Sequence, residues 1–214
     1  MKLGIDLDGV IYPFNKQWEN YVRGWYTTCQ RDYGIPDIPQ WARDLMIRFP
    51  KELPRIGHNW KFYEALGLSD EDFGTICHQG VDEGYIFWVG EPYPGARPIL
   101  ERLRKEGHTI HIITHRFFGR KSVVATEEWL TDNEIPFDTL TFAKDKSIVG
   151  VDLLVDDLWT NLDAMSYNCF RVLMNQTWNR VSHIPNYRTG LYDHRLYHLS
   201  KLPELVREVE AHRG

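Results

Sequence analysis

Three cysteines in 214 residues, Cys29, Cys77 and Cys169, are too few and too scattered to frame a disulfide scaffold or a cysteine zinc site. They read as reduced thiols of a cytosolic protein, which makes the expected localisation cytoplasmic. No apolar stretch approaches membrane-spanning length, so no membrane partner is expected. The opening M-K-L-G-I-D meets an acid too early to act as a signal peptide. A long basic run is also missing and the net charge is -5, which argues against broad binding to duplex nucleic acid and against any stable nucleic-acid partner. There is no internal repeat and no low-complexity segment. His194 and His198 have helical metal spacing, but they sit in an irregular segment without a third ligand, so no zinc site is expected there.

What is present is a globular composition: 43% hydrophobic residues and 26% charged. Such a chain buries a sizeable core as one domain with a large insertion, or as one and a half domains. Aromatics reach 14%, with eight tryptophans, and concentrate in the first half.

The stretch K-L-G-I-D-L-D-G-V, residues 2 to 10, organises the rest. It predicts a buried strand whose carboxyl end opens into a site, with Asp6 and Asp8 as alternate residues facing the same way. Like charges at that distance need a cation between them or a shared proton. From Tyr12 to about Trp88 the pattern is mostly helical. A helix is expected over 14–33, with Phe14, Trp18, Tyr21, Val22 and Trp25 on one stripe and Asn15 as N-cap. A proline-rich connector follows at Ile35 to Gln40, then helices over 41–48, 59–67 and 69–79. Ser69 caps the last of these, with Asp70, Glu71 and Asp72 in its first turn.

From Glu91 the pattern alternates helix and strand. Helices are expected after Pro94-Gly95, over 122–132 and over 202–212. Buried strands are expected at 109–113, 139–142, 151–155 and 169–174. Alternation of this kind implies a parallel sheet with right-handed crossovers. Residues 175–195 read as a long polar loop. The fold class is therefore α/β: a Rossmann-like parallel sheet over residues 1–12 and 89–214, with a helical cap over 13–88 inserted after the first strand.

Several strand ends carry one kind of chemistry. The first supplies Asp6 and Asp8, the second Thr114, the segment before the fourth Lys144 and Lys146, and the fourth Asp156 and Asp157. Ligands of open α/β sheets bind beyond such carboxyl ends. D-L-D-G-V, I-I-T, the lysine and L-L-V-D-D resemble the four motifs of the haloacid dehalogenase-like phosphohydrolase superfamily. D-K-S-I-V-G-V-D-L-L-V-D-D is similar to the corresponding stretch of the 5'(3')-deoxyribonucleotidases. The resemblance covers residues 1–12 and 90–175 onward, and it implies that the helical insertion is the cap.

The chemistry follows from the residues. Asp6 is ionised at neutral pH and is expected to attack phosphorus, forming an aspartyl-phosphate that water hydrolyses. Asp8 is expected to protonate the leaving alkoxide and later to deprotonate the water, its acidic neighbours raising its pKa. Mg²⁺ suits hard oxygen ligands beside a phosphate, held by Asp6, the Asp8 carbonyl and one of Asp156 and Asp157. Family members with adjacent acids usually bind through the later one, which favours Asp157. Thr114 would hydrogen-bond the phosphoryl group, and Lys146 would neutralise it, with Lys144 as fallback.

Beyond these, Arg116 and His115 are candidates for substrate contact, His115 also for a local hydrogen bond. Arg120 and Lys121 read as solvated. Trp178 and Asn179 could approach the site from the last strand, but an ordinary turn is the preferred reading. Phe14, eight positions after Asp6, stands where the resembling nucleotidases place a base-stacking aromatic, whereas the rest of the aromatic stripe reads as core. The expected substrate is a small phosphate ester, a nucleoside monophosphate, and a homodimer is compatible with the composition. The competing functions are a 3'-phosphatase acting on nucleic-acid ends, which needs a basic channel, and a phosphate-binding module without turnover.

Overall fold

The computed structural model describes residues 1–31, 37–56, 59–184 and 189–213. Six parallel strands form one sheet in the order β3-β2-β1-β4-β5-β6. They are β1 (Lys2–Ile5), β2 (Thr109–Thr114), β3 (Thr139–Phe142), β4 (Leu153–Asp156), β5 (Phe170–Met174) and β6 (His194–Leu196). The central strands are β-branched or leucine-rich and buried on both sides, as a parallel sheet covered on both faces requires. Side-chain alternation shows this directly. Leu153 and Val155 enter one apolar cluster with Ile110, Ile112 and Val172, while Leu154 enters a second cluster with Ile113 and Leu173.

Helices α1 (Phe14–Arg31), α2 (Gln40–Arg48) and α3 (Asp70–Asp82) lie between β1 and β2 in the chain. Their apolar stripes, including Trp18, Tyr21, Val22, Leu45, Ile76 and Val81, join the first cluster, so the insertion packs continuously with one sheet face. Helices α4 (Ala96–Lys105), α5 (Lys121–Asp132), α6 (Trp159–Asp163) and α7 (Leu202–Arg213) complete the alternation. The cap of α3 is the expected one. Ser69 Oγ accepts from the Asp72 N–H at 3.1 Å, and Asp72 Oδ2 accepts from the Ser69 N–H at 2.8 Å.

Three local expectations change. Helix α1 already starts at Phe14, so Asn15 lies inside the first turn and is not the N-cap. Its expected last residues, 32–33, and the start of the connector at 35–36 lie outside the described residues. The expected helix at 59–67 is a single 3-10 turn, Phe62–Leu66, closed by Gly67 at φ +67°. The polar segment 175–195 is not all loop: it contains two 3-10 turns and the start of the edge strand β6. Helix α6, which had no periodic signal, is only five residues long. The three cysteines are buried and unpaired, and no helix among the described residues is long and apolar enough to cross a membrane.

The topology fixes the site. From β1 the chain goes on to β2 on one side, and returns later to β4 on the other. The switch point between β1 and β4 is where an open α/β sheet leaves a crevice. Asp6 and Asp156 end these two neighbouring strands.

Candidate active site

Strand β1 ends at Ile5, three residues earlier than the alternation of Asp6 and Asp8 would need. The Asp6 N–H still donates to Val155 O at 3.0 Å, and then the chain coils tightly. Leu7 O accepts from the N–H groups of Val10, Ile11 and Tyr12 at 3.2, 2.9 and 2.7 Å. Asp6 and Asp8 are therefore not partners on one strand face. Asp6 falls in with Asp156 and Asp157, and one carboxylate oxygen from each of the three lies within 4.8 Å of the other two. Asp8 stands apart and pairs with a cation.

Lys146 joins the first group. Its ammonium sits 2.8 Å from Asp6 Oδ1 and 2.6 Å from Asp156 Oδ2, and it is only 3% exposed. The 3-10 turn Lys146–Ile148 carries it, and Asp145 caps that turn by accepting from the Ser147 N–H at 3.0 Å. Lys144, two residues earlier, is exposed. Both Asp156 oxygens are occupied: they accept from the Leu158 N–H at 2.8 Å and from the Asn161 amide at 3.0 and 3.2 Å, besides Lys146. Asp157 is held by the Trp178 indole N–H, 2.8 Å from Oδ2, and by Asn179, which donates to its carbonyl at 2.7 Å.

One ammonium among three buried carboxylates leaves the group short of positive charge. Burial pushes Asp6 up to about 7, with Lys146 pulling down and Asp156 and Asp8 pushing up. Burial, followed by Asp156 and Asp6, pushes Asp157 well above the ordinary carboxylate range. Burial opposes the Lys146 charge, but Asp156 and Asp6 outweigh it and hold its pKa above the usual lysine value. Hard oxygen donors, converging and under-compensated, fit a Mg²⁺ ion.

Gly9 completes this wall. Its φ is +76°, and a Cβ there would come within 2.3 Å of Asp157 Oδ2 and 3.0 Å of the Trp178 ring. Only glycine fits, because the backbone itself passes against the acid. Thr114 ends β2, the neighbour of β1 on the side away from β4. Its hydroxyl is fully buried and has no hydrogen-bond partner among the described residues. A buried orphan hydroxyl costs free energy unless something else accepts or donates there.

Asp8 is 23% exposed and faces Arg116. Nε and Nη2 of the guanidinium donate to Oδ2 and Oδ1 at 3.0 and 2.7 Å. The expectation of acidic neighbours around Asp8 is thus corrected, since its nearest charged group is an arginine. The expectation that Arg116 touches substrate fails for a related reason. Its side chain is 0% exposed and its fork is spent on Asp8, so it has no face left for a ligand. His115 is exposed, with its ring 5.2 Å from that of Phe117. Burial and the nearby Lys144 and Lys146 lower its pKa. Phe14 is half-buried and packs edge-on or tilted against Phe62, Phe73 and Phe87, at 6.4, 6.1 and 5.8 Å.

The reading of Trp178 and Asn179 as an ordinary turn is overturned by their bonds to Asp157, and Gln176 adds a bond to Gly9 O. The available signal was a run of amide and indole donors directly after a strand end. Trp178 also walls two surface grooves, of about 580 and 430 Å³.

Comparisons with known proteins give the family and the fold. Residues 57–193 match the family model described as "5' nucleotidase, deoxy (Pyrimidine), cytosolic type C protein". Over 193 residues the chain is 27% identical to a protein of Chlorobaculum tepidum described as "Putative 5'(3')-deoxyribonucleotidase", covering 88% of this chain and 84% of that one. In fold it is similar to a haloacid dehalogenase-like family hydrolase from Xanthomonas campestris, with a TM-score of 0.57 at 12% identity, covering 99% and 97% of the two chains. A "putative beta-phosphoglucomutase" from Thermotoga maritima superposes with a TM-score of 0.55 at 18% identity, covering 98% and 100%.

Proposed function

The chain belongs to the family of cytosolic type C 5' nucleotidases, deoxy (pyrimidine), and on that premise we propose that it is a Mg²⁺-dependent phosphomonoesterase acting on a nucleoside monophosphate. It is a phosphatase with the haloacid dehalogenase-like fold. The observation that carries the finer reading is the buried group of Asp6, Asp156, Asp157 and Lys146, with an unpartnered Thr114 hydroxyl at the end of the adjoining strand β2 supporting it.

In this reading Asp6 attacks phosphorus, and the phosphoryl group passes to its carboxylate as the nucleoside alkoxide leaves. Asp8 gives its proton to the departing oxygen, then takes one from the water that hydrolyses the aspartyl-phosphate. Thr114 donates to a phosphoryl oxygen, and Lys146 offsets the charge that gathers on the phosphoryl group and on Asp6. Asp6, the Asp8 carbonyl and Asp157 would hold Mg²⁺, with Asp156 as a supporting acid, because both Asp156 oxygens already have donors. Bound there, the ion supplies further charge stabilisation to the phosphoryl oxygens.

Residues 13–88 are proposed to cover the site, with Phe14 stacking on the base. Deoxyribose and a pyrimidine are the first sugar and base to test, from the family description. Cytoplasmic residence also fits that description, and a homodimer is left to direct measurement.

A phosphate-release assay over nucleoside monophosphates, sugar phosphates and 3'-phosphorylated oligonucleotides tests the function. The expected result is a preference for nucleotides, and a preference for oligonucleotide ends would replace the reading. Activity is expected with Mg²⁺ and not with Ca²⁺, whose higher coordination number and longer bonds disturb in-line attack. Full activity in excess EDTA would reject the metal.

Phe14→Ala is expected to lower kcat/KM for a nucleotide by roughly ten- to a hundredfold, the scale of one base stack, and to lower it much less for a baseless phosphate. The competing role is visible in its ring contacts: if Phe14 only packs the insertion, both substrates lose alike and the melting temperature falls.

A further inference from the structure

We propose that Arg116 is a positioning residue for Asp8, held by an aromatic clamp that fixes where this carboxyl points. The proposal rests on the reading of Asp8 as the proton donor to the leaving group.

The guanidinium is fixed in every direction the structure offers. In its plane, two donors reach Asp8 at 3.0 and 2.7 Å, and a third, Nη1, reaches Thr126 Oγ1 at 3.2 Å. Thr126 is itself tied to Ser122 O at 2.7 Å, and the Ser122 hydroxyl donates to Arg116 O at 2.9 Å. The Tyr12 and Phe87 rings lie 4.4 and 4.2 Å from the guanidinium carbon and 6.2 Å from each other, so they meet it from adjoining sides, as an aromatic corner. These are cation–π distances, here in a site closed to water, where such contacts are strongest.

The two rings also brace each other. Tyr12 OH donates to Val89 O at 3.2 Å and accepts the Phe87 N–H at 3.0 Å. Phe87 has φ +69°, one of two non-glycine residues with positive φ among those described. A bulky residue in this region is strained, and such strain persists only where the surroundings impose it. Here it sets a fully buried ring against Arg116. Nothing else in the proposed reaction uses Tyr12, Phe87 or Thr126, yet all three converge on the one cation that holds Asp8.

An arginine suits the task because its planar fork meets both carboxylate oxygens at once, which a lysine ammonium cannot do. When Asp8 carries its proton on one oxygen, the other can still accept from the fork. The acid then stays aimed as the proton passes to the alkoxide.

Kinetics on two leaving groups test this. A nucleoside monophosphate releases a basic alkoxide that needs the proton, whereas p-nitrophenyl phosphate releases a phenolate that does not. The rate read is first-turnover release of the leaving group, because the later water step, which also uses Asp8, is common to both substrates. Arg116→Lys is expected to lower that rate on the nucleotide by roughly a hundredfold, the low end of a general-acid contribution, with p-nitrophenol release changing by less than about threefold. Asp8→Asn should show the same split in the first turnover, and in addition slow steady-state turnover of both substrates. Phe87→Leu keeps an apolar side chain but removes the ring face, and should lose about three- to thirtyfold on the nucleotide alone, the worth of a desolvated cation–π contact. Because it leaves the Arg116–Asp8 pair intact, it carries the test if Arg116→Lys does not fold. Equal losses on both substrates, or wild-type rates, in a variant with a wild-type melting curve would overturn the clamp. If Asp8→Asn keeps the split and the clamp variants lack it, only the clamp fails. If Asp8→Asn also lacks it, the donor role of Asp8 fails and takes the clamp with it.

Discussion

Asp6→Asn is expected to abolish turnover, by at least roughly four orders of magnitude in kcat, while the protein stays folded. The amide keeps the shape of the carboxylate but has no charge with which to attack phosphorus. The loss is not softened by a neighbour. Asp156 has both oxygens committed to Lys146, Leu158 and Asn161, and Asp157 is fixed by Trp178 on its far side. Nor does the fold depend on the charge at Asp6, because burial already opposes that charge and pushes its pKa to about 7. Removing one of three crowded carboxylates relieves repulsion at the cost of one ion pair with Lys146, at 2.8 Å. The measurement is single-turnover phosphate release with a melting curve beside it. More than a few per cent of wild-type activity, in the presence of Mg²⁺, would mean that another group attacks.

Lys146→Ala should be the second most damaging change, and it should damage two things at once. One preorganised charge aimed at the transferring group is worth about 10²–10³ in kcat. In addition, the ammonium is buried between Asp6 and Asp156, and taking away one member of a buried pair costs about 3–5 kcal/mol because the partner is left unpaired. Here two partners are left. The variant should melt well below wild type, and added Mg²⁺ should recover part of the difference by binding the same acids. Lys144→Ala, on the exposed face of the same segment, should be close to wild type in both respects. Equal losses at the two positions would move the catalytic lysine and break the link between the third motif and Asp6.

Much of this was legible in the chain itself because it depends on short-range pattern. An apolar run with a polar end marks a buried strand wherever it occurs, and strands β2 to β5 were found that way within about two residues, whereas β1 ends three residues short of the expected Asp8. The Ser69 cap is likewise a property of four consecutive residues. Alternation of strand and helix then limits the sheet to a parallel one, and a parallel sheet brings its carboxyl ends to one rim. That is why Asp6, Thr114, Lys146, Asp156 and Asp157 could be gathered before any coordinates.

What the chain alone left open was decided by contacts across long separations. Arg116 and Asp8 are 108 positions apart, and they meet because β1 and β2 are neighbours in the sheet and the chain coils back after Ile5. No local pattern says that an arginine two residues past a strand end will turn inward against Tyr12 and Phe87. Its ordinary expectation is solvent, since an unpaired buried charge is costly. Lys146 was separated from Lys144 only when a 3-10 turn set one inward and the other outward. Trp178 gained its role because β5 lies beside β4, which puts the donors after one strand against the acids after the other. The residue types and their order determine the fold class and the kind of chemistry. The sheet order determines which donor faces which acid, because a hydrogen bond or ion pair is made at about 3 Å and sequence distance carries no information about that.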